Sequence, residues 1–439
     1  MAAKIEKLLS YVETESLGTC NPDAIHSVKE ALIDIVASTI AGSQTEAGKI
    51  VKNFASHQWG RGSSTVFRAS EKLKPTGATL VNATMANALD IDDGHRLVKG
   101  HPGAVIFPAV LAAAEEYGVT GEEFLTSLLI GYEVGIRAGI LAHELRPEYH
   151  CTGSWGALGA AAGVSRIIGL SASSLEHALG IAEYHSTYSP MMRCIDHPSM
   201  VKDGIGWGSM TGISSAYLAK DGFTGIPSLF SSELAEELTN ELGRYYRIQH
   251  LYFKPHSCCR WAQSAIEAIR YITEQHSISY TSVEKIVIHT FSESARLSHR
   301  YPRNTEEAQY NLSFPAAAYL VFGEVGPKQV LEEIENKEIL NIMDKIETLI
   351  NPQFDGKFPE KALSQIEIYT SYGGHYLSPV MQARGDFDYP LTKAEKRDKF
   401  IWLTKPIVGK RKSEELLELL DCIEELNDIR ELTAMLSSD

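Results

Sequence analysis

The sequence has 439 residues, of which 44% are apolar, and its formal net charge is -15, from 41 Lys and Arg against 56 Asp and Glu. This length exceeds what one hydrophobic core usually supports, so two domains are expected. The acidic balance disfavours nucleic acid and an anionic membrane surface as partners, because both require a basic protein face.

The cysteines and the N-terminus indicate the cellular compartment. The six cysteines include no C-x-x-C pair, a pattern that favours reduced thiols in a cytoplasmic protein. The N-terminal stretch MAAKIEKLLSYVE carries acidic residues and no long apolar run, so it resembles neither a secretory signal nor a transit peptide. No run reaches the roughly eighteen apolar residues of a membrane span. We therefore expect a cytoplasmic protein with no membrane partner.

Helices are expected to predominate in the first 250 residues, where Ala, Leu and Ile recur with helical periodicity between Gly and Pro breaks. The S/T-x-x-E sequences at 120–123 and 173–176 predict helix starts, because the two side chains of this motif satisfy free backbone donors. The run GALGAAAGVSRIIG, residues 156–169, is almost entirely small on one side. It predicts a helix that a neighbouring helix can approach closely.

The pattern changes after about Tyr252. VEKIVIHTF (283–291) and SQIEIYTSY (364–372) alternate apolar and polar residues, which predicts two half-buried strands. Amphipathic runs lie between them, around 308–323 and 328–349, and the tail returns to a helical pattern. We predict a mainly α fold with an α+β second domain: a large all-helical domain from residues 1–252 and 396–439, and a smaller α+β lid domain from residues 253–395.

The segment from Asn82 to Ala109 is the strongest candidate for a functional site. It concentrates titratable groups between apolar flanks, and such groups in a partly desolvated pocket shift one another's pKa values toward those needed for proton transfer. These groups are Asp90, Asp92, Asp93, His95, Lys99 and His101.

Further basic clusters lie in loops bounded by Gly or Pro. His150 precedes a glycine-broken helix start, where free backbone N–H groups favour an anion. Several cations that converge in space would suit a substrate with several carboxylates. The remaining candidates are Arg193, His197 and Lys202 in one segment, Lys254, His256 and Arg260 in a second, and Arg303 with Tyr310 in a third.

Other chemistries lack their motifs. The sequence contains no G-x-S-x-G elbow, Walker A motif or H-E-x-x-H motif, and GIGWG at 204–208 has neither the preceding strand nor the acidic residue of a dinucleotide site. A divalent metal held by the aspartate cluster with His95 and His101 stays open as an alternative.

Several motifs, in this order and spacing, resemble the MmgE/PrpD family, which includes 2-methylcitrate dehydratases, cis-aconitate decarboxylases and iminodisuccinate epimerases. The resemblance covers nearly the whole chain. It implies a large helical domain with a small lid, a homodimer, and catalysis without a metal or an organic cofactor. The motifs are LDIDDGH followed by HPG, YHCTGSWGALGAAAG, VKDGIGWGSMTGISSAYLAKDGFTG and FKPHSCCRW.

The resemblance also implies site residues. Matched motif by motif, the catalytic set is Asp90, His101, His150, Lys202 and Lys254, and we add Arg193, Arg260 and Tyr310 as substrate-binding residues.

The chain departs from the family pattern at several positions. Gly94 stands where decarboxylase-like members carry threonine, Ile205 where many members carry histidine, and Phe314 where we align an active-site tyrosine. One extra residue also separates Asp90 from His101. Tyr310, one helical turn before Phe314, is a candidate to replace the missing tyrosine.

The resulting hypothesis is a cofactor-independent lyase that acts on a small di- or tricarboxylate, with dehydration of a citrate-like hydroxy acid as the leading reaction. His101 and His150 would serve as acid and base in an order that the sequence leaves open, Asp90 would orient a histidine, and the lysines would hold carboxylates. Decarboxylation of a cis-aconitate-like acid and epimerisation of an iminodisuccinate-like acid require the same apparatus. A metal-dependent enzyme and a catalytically silent binding protein are the alternatives from other classes.

Overall fold

The structure, a computed structural model, describes residues 2–146 and 148–438. It consists of a large helical part and a smaller α+β part, which confirms the predicted fold class.

The helical part is formed mainly by the first 250 residues. Its centre is α7, which packs against α5, α6, α8 and α10, and nearly all of its residues are buried. Its helices, α1 to α11, are Ala2–Thr14, Pro22–Gly42, Glu46–Trp59, Pro75–Asn87, Pro102–Tyr117, Gly121–Leu145, Thr152–Ile167, Ala172–His185, Met192–Asp196, Ile205–Lys220 and Ala235–Asn240.

Three short strands accompany these helices: β1 (Arg61–Ser64), β2 (Gly94–His95) and β3 (Leu251–Tyr252). Strands β2 and β3 pair antiparallel, with Gly94 opposite Tyr252 and His95 opposite Leu251. This ribbon ties the aspartate-rich segment to the chain that leads into the α+β part.

The α+β part is built on a mixed sheet with the order β5-β4-β6-β7, in which β8 also pairs with β6. The two predicted strands are confirmed as β4 and β6, whereas the end of the run 328–349 forms an edge strand, β5, parallel to β4. Helix α12 packs on β6. The strands β4 to β8 are Val283–Thr290, Ile346–Ile350, Leu363–Thr370, His375–Leu377 and Met381–Gln382; the helices α12 to α18 are Arg260–His276, Ser292–Ala295, Thr305–Gln309, Ser313–Phe322, Pro327–Glu332, Lys337–Met343 and Pro352–Asp355.

The C-terminal helices return to the helical part, as the sequence pattern indicates. Helix α19 begins with a capping box in which Thr392 and Glu395 satisfy each other's backbone N–H groups, and it packs against α2. The helices α19 to α21 are Lys393–Val408, Lys410–Asp421 and Arg430–Leu436, and short 3₁₀ turns lie at Arg96–Val98, Leu229–Ser231, Arg247–His250, Tyr280–Ser282 and Ile423–Glu425.

Helix α6 is long and apolar enough to cross a membrane by length and composition, but 94% of its most apolar window is buried inside the protein. It also carries a buried ion pair between Glu133 and Arg137, whose guanidinium additionally donates to the carbonyls of Leu238 and Tyr245. These contacts are those of a core helix.

Candidate active site

The aspartate-rich segment joins the end of α4 to the start of α5. Asp90 has a left-handed backbone (φ 51°), and so does Lys202 in the turn before α10 (φ 46°). A side chain other than glycine pays roughly 1–2 kcal/mol for this conformation, and such strain is concentrated at functional sites. Two of the five predicted catalytic residues therefore occupy costly backbone positions.

Asp90 and Lys254 form a buried ion pair. The Lys254 ammonium donates to Asp90 Oδ1 at 2.6 Å and to the Asp90 backbone carbonyl at 2.8 Å, and both side chains are at most 2% exposed. Burial alone would raise the pKa of Asp90, but Lys254, Lys202 and His101 together lower it below its usual value. The pKa of Lys254 is raised because Asp90 and Asp92 outweigh its burial. The pair is therefore fully charged at neutral pH.

His101 lies at the N-terminal boundary of α5 with a carboxylate near each ring nitrogen. Its Nδ1 is 3.2 Å from Asp92 Oδ2, and its Nε2 is 3.5 Å from Asp90 Oδ1. Asp92 is itself held by Asn87, whose side-chain amide donates to Oδ1 at 2.9 Å. Burial acts to raise the pKa of Asp92, yet His101 lowers it overall. The two carboxylates lie within ion-pair distance of the imidazole, one beside each ring nitrogen.

The same three residues are also the candidate metal ligands. One ligand atom each from Asp90, Asp92 and His101 lies within 4.8 Å of the others. Lys254 already donates to Asp90 Oδ1, so a cation bound here would lie beside an ammonium group. The spacing of the donor atoms suits a metal ion, but Lys254 already supplies a positive charge beside Asp90.

Lys202 lies beside this cluster and is held by a residue that the sequence did not indicate. Its Nζ donates to Gln309 Oε1 at 2.5 Å and lies 5.1 Å from the centre of the Tyr310 ring. The Gln309 amide nitrogen in turn donates to Thr305 Oγ1 and to the Ala88 carbonyl. Burial, helped by the charge of Lys254, lowers the pKa of Lys202 despite the attraction of Asp90.

A small cavity of about 30 Å³ opens against Asp90 and His101. Two predicted substrate-binding residues, Arg260 and Tyr310, lie in its wall, and Asp386 holds the Arg260 guanidinium at 2.7 Å. Lys254 lies beneath Asp90, outside the wall. The lining is Asp90, Arg96, Lys99, His101, Met191, Tyr252, Cys259, Arg260, Trp261, Tyr310, Phe358 and Pro359.

Two polar residues of this wall, Arg96 and Tyr252, were not candidates from the sequence, and Lys99 was named only as one of the titratable groups of the aspartate-rich segment. Lys99 lies 3.6 Å above the centre of the Tyr149 ring, and burial lowers its pKa to about 8. Tyr252 precedes Lys254 by two residues in an extended segment, the spacing at which side chains share a face. That spacing was the available signal for Tyr252.

Two predicted site residues lie elsewhere. His150 is outside the cavity wall: its Nε2 is 3.0 Å from the Arg146 carbonyl, its ring stacks on His143, and burial lowers its pKa. Arg193 is exposed on α9 and lines a separate pocket of about 600 Å³, together with Lys202 and the N-terminus of α10.

The departures from the family pattern also have structural explanations. A Cβ on Gly94 would overlap the Tyr252 ring, so the position must be glycine for space. Ile205 starts α10 and is buried at the larger pocket. Phe314 is fully buried and does not line the cavity, whereas Tyr310 is one of the lining residues.

Comparison with known proteins finds related sequences along most of the chain. Residues 6–235 match the MmgE/PrpD N-terminal domain, and residues 256–425 match the MmgE/PrpD C-terminal domain. A cis-aconitate decarboxylase-like protein of Aspergillus oryzae is 24% identical, covering 95% of this chain and 94% of its own length. The cis-aconitate decarboxylases of Homo sapiens and Aspergillus terreus are each 22% identical, covering 98% and 94% of this chain and 94% and 92% of their own lengths. The two matched domains span most of the sequence, and the chain belongs to the MmgE/PrpD family.

Proposed function

We propose that the protein is a cofactor-independent lyase that decarboxylates a small tricarboxylate of the cis-aconitate type. The observation that carries this proposal is the composition of the small cavity. Among the described residues, His101 is the one histidine in its wall, and it faces a surface that also presents Arg96, Lys99 and Arg260. Decarboxylation needs one proton donor and several cations, and this wall offers both.

The cations would bind the carboxylates and stabilise the charge of the transition state. Arg96 and Arg260 present planar guanidinium groups suited to carboxylates, and Lys99 adds an ammonium group on a flexible side chain. Both guanidinium groups are positioned by aspartates, Arg260 by Asp386 and Arg96 by Asp388. That cis-aconitate decarboxylases are similar to this chain along nearly their full lengths supports a substrate of this class.

The reaction would proceed by loss of carbon dioxide and uptake of one proton. As one carbon–carboxylate bond breaks, its electron pair forms a new double bond, and the pair of the old double bond moves to the carbon beside a second carboxylate. The developing negative charge spreads onto that carboxylate, where the arginines and lysines stabilise it. His101, oriented by Asp90 and Asp92, delivers the proton to the carbon. Solvent then returns a proton to His101.

Dehydration of a 2-methylcitrate- or citrate-like hydroxy acid is the second candidate. It requires a base for the carbon-bound proton and an acid for the departing hydroxide. Lys99 favours this candidate because it lines the same cavity as His101 and its lowered pKa, about 8, lies close to neutrality. Epimerisation of an iminodisuccinate-like acid would need the same two groups on opposite faces of one carbon.

A substrate panel distinguishes these reactions. The purified protein is incubated in deuterated water with cis-aconitate, 2-methyl-cis-aconitate, citrate, 2-methylcitrate and iminodisuccinate, and proton NMR follows each acid. We expect carbon dioxide release from an aconitate, with one deuterium in the product. Water loss from a hydroxy acid would replace decarboxylation with dehydration, and exchange of one C–H without another product would indicate epimerisation. A panel with no change would refute a lyase for this class.

Metal-independent catalysis is a part of this proposal and is tested separately. The protein is dialysed against excess EDTA and assayed with the active substrate. We expect full activity, because Lys254 already neutralises Asp90. Activity that disappears and returns with added Zn²⁺ or Mg²⁺ would make Asp90, Asp92 and His101 a metal site instead.

A further inference from the structure

Tyr252 and Gly94 face each other across the short ribbon formed by β2 and β3. A Cβ on Gly94 would overlap both Cζ and the hydroxyl oxygen of Tyr252. The backbone of Gly94 is outside the left-handed region, so glycine is required here by space and not by conformation. The phenol therefore fills the volume that a side chain at position 94 would otherwise occupy.

The Tyr252 hydroxyl is available to a ligand. Tyr252 lines the small cavity together with Asp90 and His101. Its hydroxyl forms no hydrogen bond with any residue that the structure describes, and it is not among the polar atoms that are sealed from solvent without a partner. An unpaired donor at a buried site gains most from a ligand that accepts its hydrogen bond.

The position and the protonation state of Tyr252 suit this role. The Arg260 guanidinium lies 4.9 Å from the centre of its ring, and Asp386 holds that guanidinium in place. Burial raises the pKa of Tyr252, although Lys254 and Arg260 act to lower it. The phenol consequently keeps its proton over the physiological range and acts as a donor.

We propose that Tyr252 is a substrate-binding and specificity-determining residue, whose hydroxyl donates a hydrogen bond to a substrate carboxylate from the space left open by Gly94. The inference rests on the proposed function, since it requires a carboxylate in the small cavity. It differs from the predicted site in assigning a polar group that comes from the strand opposite the aspartate-rich segment.

The first test is Tyr252→Phe, which removes the hydroxyl and keeps the ring. A hydrogen bond to a charged group is worth about 1.5–3 kcal/mol, so KM should rise roughly tenfold to a hundredfold while kcat changes little. Tyr319→Phe is the matched control, because Tyr319 lies in the same part of the chain, outside the cavity wall, and packs against His256. An unchanged KM for Tyr252→Phe would overturn the inference.

The second test moves the hydroxyl to the opposite strand. Tyr252→Ala removes the phenol, and adding Gly94→Thr places a Cβ that carries a hydroxyl in the space that the phenol occupied. We expect Tyr252→Ala to raise KM and the double variant with Gly94→Thr to bring KM most of the way back to the wild-type value. The double variant of Tyr252→Ala with Gly94→Val, which has the same shape without the hydroxyl, should keep the raised KM. Equal KM values for the two double variants would overturn the inference. Thermal unfolding of each variant identifies effects that come from misfolding.

Direct binding separates this inference from the proposed function. Calorimetric titration with tricarballylate, a saturated tricarboxylate, measures affinity without turnover. A wild-type protein that neither turns over the panel nor binds tricarballylate overturns both proposals. If the wild-type protein turns over an acid of the panel and binds tricarballylate, and Tyr252→Phe binds tricarballylate as tightly as the wild type, the inference alone is overturned. Weakened binding in Tyr252→Phe supports it.

Discussion

The titratable residues between positions 90 and 101 show how strongly neighbours decide the role of a side chain. Asp90 and Asp92 stay charged beside cationic partners. Burial, together with the nearby Asp92 and Asp34, raises the pKa of Asp93 well above its usual value. His95 is sealed from solvent, whereas Arg96 and Lys99 join His101 and Asp90 in the cavity wall.

Replacing His101 should remove most of the activity. His101→Asn deletes the proposed proton donor, and general acid–base groups contribute roughly 10²- to 10⁴-fold, so kcat should fall by about that factor. His150→Asn should cost much less, because His150 bonds to the Arg146 carbonyl outside the cavity wall. Steady-state assays of both variants check this. Equal losses would mean that His150 reaches the substrate.

Removing Lys254 should destabilise the fold. Lys254→Met leaves Asp90 buried without its partner, a change that costs about 3–5 kcal/mol. Lys285→Met, which breaks an ion pair between half-exposed side chains, should cost less than about 1 kcal/mol. Urea denaturation measures both. Adding Asp90→Asn to Lys254→Met should restore much of the loss, and failure to do so would show that the charge of Asp90 is not its source.

At this scale, the sequence motifs identified residues that meet in the structure although they lie far apart along the chain. Asp90, His101 and Lys254 meet as the motifs imply, and Arg260 and Tyr310 line the cavity. Gln309 and Tyr252 lie outside those motifs, and their contacts with Lys202 and Gly94 are set by the fold.

At the scale of elements, close packing around α7 follows from its small residues, as the run 156–169 predicts. A Cβ on Gly159 would lie 2.6 Å from the Gly131 carbonyl oxygen and 2.8 Å from the Gly135 Cα, both on α6. Glycine at position 159 is therefore a condition for the close contact between α6 and α7.

Gly159→Ala should therefore be destabilising. The added methyl group meets backbone atoms that cannot move independently, and overpacking of this kind typically costs 1–3 kcal/mol. Gly356→Ala is the control, because its φ is -65° and its Cβ would meet no atom closer than 3.9 Å. Thermal unfolding of the two variants gives the comparison. A neutral Gly159→Ala would show that α6 and α7 can separate without cost.

The ends of the elements were less predictable than their existence. Thr120 caps α6 as predicted, by accepting from the Glu123 N–H. The prediction for Ser173 was wrong: Ser171 caps α8, because it accepts from the Ser174 N–H two residues earlier than the motif suggested. Strand β5 was missed since its pairing with β4, and not its own pattern, makes it a strand.

At the scale of the whole molecule, the candidate site is assembled from both halves of the sequence. Asp90 and His101 come from the helical part, whereas Arg260 and Tyr310 come from the α+β part. The domain boundaries at 252 and 396 and the homodimer remain predictions. Sedimentation velocity at several protein concentrations checks the homodimer.

Stability should fall in mild acid. Burial, with nearby cationic groups, lowers the pKa of His95 to about 3 in the folded protein, against about 6.5 when unfolded. Between these values only the unfolded chain binds the proton, so stability is lost as pH falls below 6.5, by about 1.4 kcal/mol at pH 5.5. Urea denaturation at pH 7.5 and 5.5 measures the loss of stability between the two values. This loss should be smaller in His95→Gln than in the wild type by about 1.4 kcal/mol.

The exposed His57 provides the matched control for this measurement. His57→Gln should leave the pH dependence of unfolding as it is in the wild type. If His95→Gln also leaves it unchanged, the folded protein accommodates a charged His95.

The volume of the small cavity limits how a substrate can enter. About 30 Å³ is the share of a single water, far less than a tricarboxylate. Met191 lines both this cavity and the neighbouring pocket of about 600 Å³, and a methionine side chain is flexible enough to take several positions. Rotation of Met191 would join the two spaces while the two parts of the chain stay in contact.

Met191→Ala should therefore raise kcat/KM for acids bulkier than cis-aconitate, whereas Met192→Ala, which changes a half-buried neighbour outside both linings, should not. Competition assays with 2-methyl-cis-aconitate measure this preference. If the preference is unchanged, the space for the substrate arises when the helical part and the α+β part separate. If Met191 is the barrier, the rotamer of one side chain controls the admission of substrate, and kcat/KM should be insensitive to solvent viscosity.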